Sequence, residues 1–134
     1  MRRVYVDTCL LIYWVEGQGA LAQAATAWLV AHQDAVLCVS PLVRLEVLVK
    51  PLRGDQHALV QAYDELLAQQ VWLPIGDEVF AQALDLRVRH GLKTPDALHL
   101  ATALHHGCSE LWTNDDRLKA AAGALAVNVL QPTP

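Results

Sequence analysis

The sequence predicts an α/β domain of three layers, in which a central, mainly parallel sheet of five strands is flanked by helices. Three observations predict it. Short apolar runs of β-type alternate with longer stretches whose apolar residues recur at helical spacing. Proline and glycine punctuate that alternation where helices should begin and end. At 134 residues the chain also suits one domain, 1–134, able to bury roughly two thirds of its unfolded surface. Strands alternating with helices pair in parallel because each return to the sheet needs a crossover, and the crossovers cover both faces.

Val4-Tyr5-Val6 is the first strand, closed by Asp7-Thr8 and followed by a helix carrying Leu10, Leu11, Trp14 and Val15. Leu21 to Ala31 forms a second helix with a stripe through Leu21, Ala25, Trp28 and Leu29. Val36-Leu37-Cys38-Val39 is the second strand. Ser40-Pro41 ends it, with Ser as a cap and Pro at the first helical position, and a helix through Leu42, Leu45, Glu46 and Val49 follows. After the break at Gly54-Asp55, Leu59, Tyr63, Leu66 and Leu67 mark another helix, and Val71 to Ile75 the third strand. Glu78 to His90 is helical, with Gly91 as its C-terminal cap. Thr94-Pro95 opens the next helix by the same cap-then-proline logic, and Gly107 stops it near His106. Leu111-Trp112-Thr113 is the fourth strand, Asp115 to Ala122 a short helix, and Val127 to Leu130 the fifth strand.

Composition narrows the function. The chain is 54% hydrophobic, yet charges interrupt every apolar run well before the roughly 20 residues that cross a bilayer. No signal-peptide pattern precedes Asp7, so a cytoplasmic location without membrane association is expected. Cys9, Cys38 and Cys108 lack a CxxC spacing and read as buried, inert thiols rather than disulfides or zinc ligands. A net charge of −4 counts against a simple phosphate-neutralising binder. It counts less if several acids are gathered on cations, which reverse the local field.

In open parallel sheets, ligands sit outside the carboxyl ends of the strands. Asp7 directly follows strand one, Glu46 lies in the helix after strand two, Asp96 stands near the start of its helix, and Asp115 follows strand four. All can reach one edge of the sheet. Carboxylates converging there repel one another unless cations intervene, and hard oxygen donors suit Mg²⁺ or Mn²⁺. Such ions lower the pKa of water and stabilise charge in phosphodiester hydrolysis. The competing reading is that Asp96 and Asp115 are ordinary first-turn acids favoured by the helix dipole, and that Glu46 pairs with Arg44 or Lys50 on a solvated face.

Four segments, Val4 to Tyr13, Ser40 to Glu46, Thr94 to Ala103 and Leu111 to Asp116, together resemble a PIN-domain ribonuclease, closest to the VapC-type toxins of bacterial toxin–antitoxin pairs. No single segment is specific, but their ordered combination spans essentially the whole chain. The resemblance implies that Asp7, Glu46, Asp96 and Asp115 are catalytic metal-binding acids using Mg²⁺ or Mn²⁺. It implies that Thr8, Ser40, Thr113 and Asn114 support them, with Asp116 as a possible extra ligand or supporting group. It further implies cleavage of structured RNA such as tRNA or a ribosomal RNA loop, a VapB-like antitoxin whose tail covers the site, homodimerisation, and contact with operator DNA only through the antitoxin. Two positions depart from the family pattern: His99, where many relatives carry an aliphatic or small residue, and Leu118, two residues beyond Asp116, where a Phe is frequent.

His99 follows Asp96 by three residues and reads as a structural histidine, with a supporting hydrogen bond or proton carriage as the alternative. Arg87, Arg89, Lys93 and Arg117, with Lys119, are candidate RNA contacts or simply a solvated face. The expected function is therefore a Mg²⁺- or Mn²⁺-dependent endoribonuclease toxin. The rivals are a non-catalytic PIN-like module acting through an antitoxin and DNA, and a metal-dependent phosphatase, which Cys9 disfavours because an acid is wanted there.

Overall fold

A computed structural model describes residues 2–130; Met1 and residues 131–134 of the expected domain lie outside that range. The elements run β1 (Arg2–Val6), α1 (Thr8–Glu16), α2 (Ala20–Ala31), β2 (Ala35–Val39), α3 (Pro41–Arg53), α4 (His57–Ala68), β3 (Val71–Trp72), α5 (Asp77–His90), α6 (Thr94–His105), β4 (Glu110–Thr113), α7 (Asp116–Ala122) and β5 (Ala126–Asn128), with a 3-10 turn at Gly123–Leu125 before β5. The strands form one sheet in the order β3-β2-β1-β4-β5. Every pairing is parallel, so the expected α/β architecture is present.

The central strand explains why the sequence reads as it does. Val4, Tyr5 and Val6 are all fully buried, because helices cover both faces of a parallel sheet and leave no solvated side to demand polar alternation. In register, Tyr5 stands opposite Cys38 of β2 and Leu111 of β4, and Val6 opposite Trp112. Right-handed crossovers put α1 to α4 on one face and α5 to α7 on the other. The helix packing agrees: α1 packs on α2 and α3, α3 on α4, α5 on α6, and α6 on α7.

Several local expectations are corrected. β3 stops at Trp72 rather than running to Ile75, because Pro74 lacks the N–H that a ladder needs. β5 ends at Asn128 rather than Leu130, where the Asn128 side-chain oxygen accepts the Leu130 N–H at 3.1 Å and turns the chain. In α2 Ala25, Trp28 and Leu29 pack inward as expected, joined by Ala22, while Leu21 is 52% exposed; the small Ala22 and Ala25 let α2 lie close to α1. The close approach also fixes Gly17, where a Cβ would stand 2.4 Å from the Tyr13 carbonyl oxygen and 2.6 Å from the Ala22 Cβ. Ser40 is the N-cap residue of α3 but makes no side-chain cap bond; its hydroxyl is engaged elsewhere. α6 begins at Thr94 itself, with Lys93 in the cap position, so Asp96 is its third residue. Gly91 does end α5 in the left-handed conformation, at φ 66°. No described helix is long and apolar enough to cross a membrane.

Candidate active site

The strand order reverses between β1 and β4, which is where an open α/β sheet leaves a crevice at its carboxyl edge. Asp7 ends β1 and Asp115 follows β4, so the two acids come from adjacent strands at that point. The Asp7 amide donates to the Trp112 carbonyl at 2.9 Å, extending the ladder by one residue. The Asp7 residue is only 7% exposed. Its Oδ2 accepts from the Thr113 hydroxyl at 2.7 Å and from the Cys9 thiol at 3.5 Å.

Thr113 links two acids. While its hydroxyl donates to Asp7, its oxygen accepts the Asp115 backbone N–H at 3.0 Å. Asp115 in turn caps α7, its Oδ1 accepting from the amides of Arg117 at 2.9 Å and Leu118 at 3.1 Å, as a carboxylate at a helix start should. It is thus the cap of α7 rather than its first helical residue. Replacing Thr113 by Val keeps the shape of a fully buried side chain but removes both bonds. Leaving a buried polar group unsatisfied costs about 1–3 kcal/mol, so thermal or urea unfolding of Thr113→Val should show a loss of that size.

Asp96 sits in the first turn of α6, half-buried. Burial pushes its carboxyl pKa up, and the charges of Asp115, Asp7 and Glu46 push it further, with His99 pulling the other way. Three separate elements therefore aim negative charge at this one group. Glu46, on α3, is anchored differently: its Oε1 accepts from the Thr8 hydroxyl at 2.8 Å and meets His99 Nε2 at 2.5 Å. Burial raises its pKa, but hydrogen bonding and charge from His99, with the Thr8 bond, outweigh that and hold the carboxyl below its ordinary value.

The remaining expected residues divide. Thr8 reaches Glu46, whereas the buried Ser40 hydroxyl lies 2.8 Å from the Tyr5 hydroxyl and touches none of the acids. Asp116 shares a cleft with Asp96 and Asp115, whereas the half-buried Asn114 lines, with Asp116, a separate cavity beside Leu21, Asn128 and Leu130. Lys93 and Arg117 line one cleft with Asp96, Asp115 and Asp116. Arg87 and Arg89 are not in that lining. Arg87 donates to the Leu92 carbonyl at 2.9 Å and the Thr94 hydroxyl at 3.0 Å, and Arg89 pairs with Asp85 one turn back at 2.6 Å.

Two participants escaped sequence reasoning. Cys9, expected to be a buried bystander, is only half-buried and bonds Asp7; burial and the Asp7 charge push its thiol up to about 12, so it stays protonated as a donor. Tyr5, quoted only as a strand residue, carries a hydroxyl that bridges Ser40 and His99. The signal for Tyr5 was available: a tyrosine in a strand buried on both faces must find a partner for its hydroxyl.

The donor chemistry fits a hard divalent cation. Asp7, Asp115 and Glu46 each engage one carboxylate oxygen in the bonds above and retain a second, which suits Mg²⁺ bound through one or two carboxylates and several waters. A closed protein cage is not what this arrangement offers: among the described residues no three acids, histidines or cysteines are grouped to hold an ion by themselves.

Comparison with known proteins adds a family. The family model for the PIN domain matches residues 4–124, and no curated protein matches the chain. Among solved structures, a toxin–antitoxin complex from Klebsiella pneumoniae is 24% identical, with 94% of this chain and 97% of that one covered and a TM-score of 0.76. VapC20 from Mycobacterium tuberculosis, described as a toxin that cleaves the sarcin–ricin loop, is 21% identical, with 88% and 94% covered and a TM-score of 0.74. VapBC2 from Rickettsia felis, bound to a promoter DNA fragment, is 14% identical, with 92% and 96% covered and a TM-score of 0.72. At these identities the likeness is one of fold.

Proposed function

The chain belongs to the PIN domain family, and from that premise we propose that it is a Mg²⁺- or Mn²⁺-dependent endoribonuclease, the VapC-type toxin of a toxin–antitoxin pair, hydrolysing phosphodiester bonds in structured RNA such as a tRNA or a ribosomal RNA loop. The observation that carries the reading is geometric: Asp7 and Asp115 are joined through Thr113 at the carboxyl ends of adjacent strands, and Asp96 shares a cleft with Asp115, where burial and then the charges of Asp115, Asp7 and Glu46 push the Asp96 carboxyl pKa up. Such a concentration of negative charge is a cost to the fold that a divalent cation removes.

In this reading Asp7, Glu46, Asp96 and Asp115 hold the ion. When bound, it supplies Lewis acidity at the scissile phosphate and eases ionisation of the attacking water. Thr113 keeps Asp7 and Asp115 in fixed relation, and the Asp115 cap ties that carboxylate to the α7 backbone, so the acids are pre-positioned before substrate arrives. Lys93 and Arg117, beside Asp96 and Asp115, draw the RNA backbone to the cleft and offset its repulsion from the acids. The expected products carry a 5′-phosphate and a 3′-hydroxyl. Purified protein incubated with cellular RNA and Mn²⁺, followed by end-group mapping, tests this directly; 3′-phosphate ends would refute the hydrolytic route.

The same reading puts the protein in the cytoplasm with a VapB-like antitoxin, which the toxin–antitoxin nature of the Klebsiella pneumoniae relative supports. A chain of net charge −4 is a poor ligand for DNA, so operator binding falls to the antitoxin. The DNA-bound Rickettsia felis relative favours a second reading, a non-catalytic module acting through an antitoxin–DNA complex, and absence of cleavage by active-metal preparations would select it.

A second copy of the chain is the partner for α5. Its outer face exposes Phe80 at 55%, Leu84 at 66% and Val88 at 77%, apolar side chains one turn apart along a single helical ridge. The same helix is acidic in its first turn, at Asp77 and Glu78, and basic in its last, at Arg87, Arg89 and His90. Two copies packed antiparallel about a two-fold axis would set Leu84 on Leu84, Phe80 on Val88, and each acidic end on a basic one. Leu84→Asp should therefore turn a dimer into a monomer by light scattering, with the fold retained; an unchanged mass would exclude this interface.

A further inference from the structure

Behind Glu46 lies a buried chain of hydrogen bonds that the family pattern does not foresee. Ser40 Oγ stands 2.8 Å from the Tyr5 hydroxyl, that hydroxyl 2.6 Å from His99 Nδ1, and His99 Nε2 2.5 Å from Glu46 Oε1, where the Thr8 hydroxyl also donates at 2.8 Å. Ser40 and Tyr5 are fully buried and His99 is 1% exposed. The five residues come from the turn after β2, from β1, α6, α3 and α1.

The proton positions follow from the acceptors. An ionised carboxylate only accepts, so Nε2 of His99 carries a proton toward Glu46. When the imidazole is neutral, Nδ1 is the acceptor and the Tyr5 hydroxyl donates to it; when the ring is charged, Nδ1 donates to the Tyr5 oxygen, and in both states Nε2 donates to Glu46. Burial raises the Tyr5 pKa strongly, so that proton is retained at any working pH. The Tyr5 oxygen in turn accepts from Ser40. With the ring neutral every donor in the chain points toward Glu46, and with the ring charged the Nε2 donor to Glu46 is kept.

We infer that His99 is a positioning residue: the relay Ser40–Tyr5–His99, with Thr8, places two donors on one oxygen of Glu46, fixes the carboxylate across the gap between α3 and α6, and leaves its second oxygen for the cation. This rests on the proposed metal-dependent reading of the site. A carboxylate on a helix and 29% exposed would otherwise sample several rotamers, and ordering it on binding would cost affinity. At a position where the resemblance expects an aliphatic or small residue, this chain supplies an aromatic ring with two satisfied nitrogens. The sequence could place His99 on the Asp96 side of its helix but not reveal Tyr5 and Glu46 on either side of the ring.

The test is direct Mn²⁺ binding by calorimetry on the full chain, without RNA, for wild type, His99→Leu, His99→Gln and Tyr5→Phe. Loss of a residue that orients a metal ligand lowers affinity by about 10- to 100-fold, and that is expected of His99→Leu. His99→Gln, whose amide nitrogen still reaches Glu46 as a donor, should recover most of the affinity, and Tyr5→Phe should fall between. A merely structural role would instead lower the melting temperature of all three without separating Leu from Gln in Mn²⁺ affinity. Wild-type Mn²⁺ affinity in His99→Leu overturns the inference. If that variant does not fold, Tyr5→Phe binding Mn²⁺ as tightly as wild type, or ¹⁵N shifts showing His99 Nε2 without a proton, overturns it equally. Asp7→Asn and Asp96→Asn separate the two levels: if these leave Mn²⁺ binding intact the metal reading itself fails, and if they weaken it while the relay variants do not, only the role of His99 fails.

Discussion

Asp7→Asn is expected to slow RNA cleavage about a thousand-fold, equivalent to about 4 kcal/mol of lost transition-state stabilisation at about 1.4 kcal/mol per decade. The fold should survive. Asp7 Oδ2 accepts from Thr113 and Cys9, and an amide oxygen of the same shape accepts both bonds. What the amide removes is the negative charge at the junction of β1 and β4, where a cation would be held. Single-turnover cleavage of a defined RNA, read beside thermal melting of the same preparation, checks both halves. A variant that cleaves at the wild-type rate removes Asp7 from the chemistry.

Asp96→Asn should lose activity on a similar scale, about a thousand-fold, but its effect on stability has the opposite sign to that of most buried substitutions. Burial and the charges of Asp115, Asp7 and Glu46 raise the folded-state pKa above its unfolded value. The stability linked to this group is therefore fully present below the unfolded pKa, near 4, and is lost as pH rises through the folded pKa. At neutral pH the ionised side chain opposes folding. Asn carries no such penalty, so the metal-free variant should melt above metal-free wild type at pH 7, with the difference shrinking as pH approaches 4. Added Mn²⁺ should reverse the order, because an ion that binds only the folded wild type stabilises it by mass action. A metal-free variant that melts lower at pH 7 would mean that Asp96 does not sit in uncompensated negative charge.

The frame of the site was legible because it is written locally. An apolar strand that runs into Asp7, and another that runs into Thr113, Asn114 and Asp115, place carboxylates at strand ends by chain order alone, and parallel topology then makes them neighbours. The punctuation was legible for a similar reason: Gly91 takes the left-handed conformation its position predicted. What was not legible depends on partners distant in sequence. Ser40 has the profile of a helix cap, and only the fold shows that its hydroxyl turns to Tyr5, 35 residues away. His99 and Tyr5 are separated by 94 residues, so neither could announce the other. Periodicity misplaced one residue of α2, where Leu21 points outward while Ala25, Trp28 and Leu29 of the same stripe pack inward; a hydrophobic stripe orders residues around a helix but does not say how near the neighbouring helix will come. The basic residues show the same limit. Arg87 and Lys93 look equivalent in sequence, yet the Arg87 guanidinium is spent on Leu92 and Thr94 while Lys93 borders the acidic cleft.

Taken together, the acids at the carboxyl edge of the sheet are proposed to act as one cation-dependent unit on an RNA phosphodiester. The most direct measurement is cleavage of a defined structured RNA by the purified chain as Mn²⁺ is titrated in and then withdrawn with EDTA, run in parallel with Asp7→Asn prepared identically. The account predicts cleavage that rises with Mn²⁺, stops with EDTA, resumes on readdition of the metal and is nearly absent in the variant. Cleavage that persists at the same rate in EDTA, or that the variant performs as well as wild type, would contradict it.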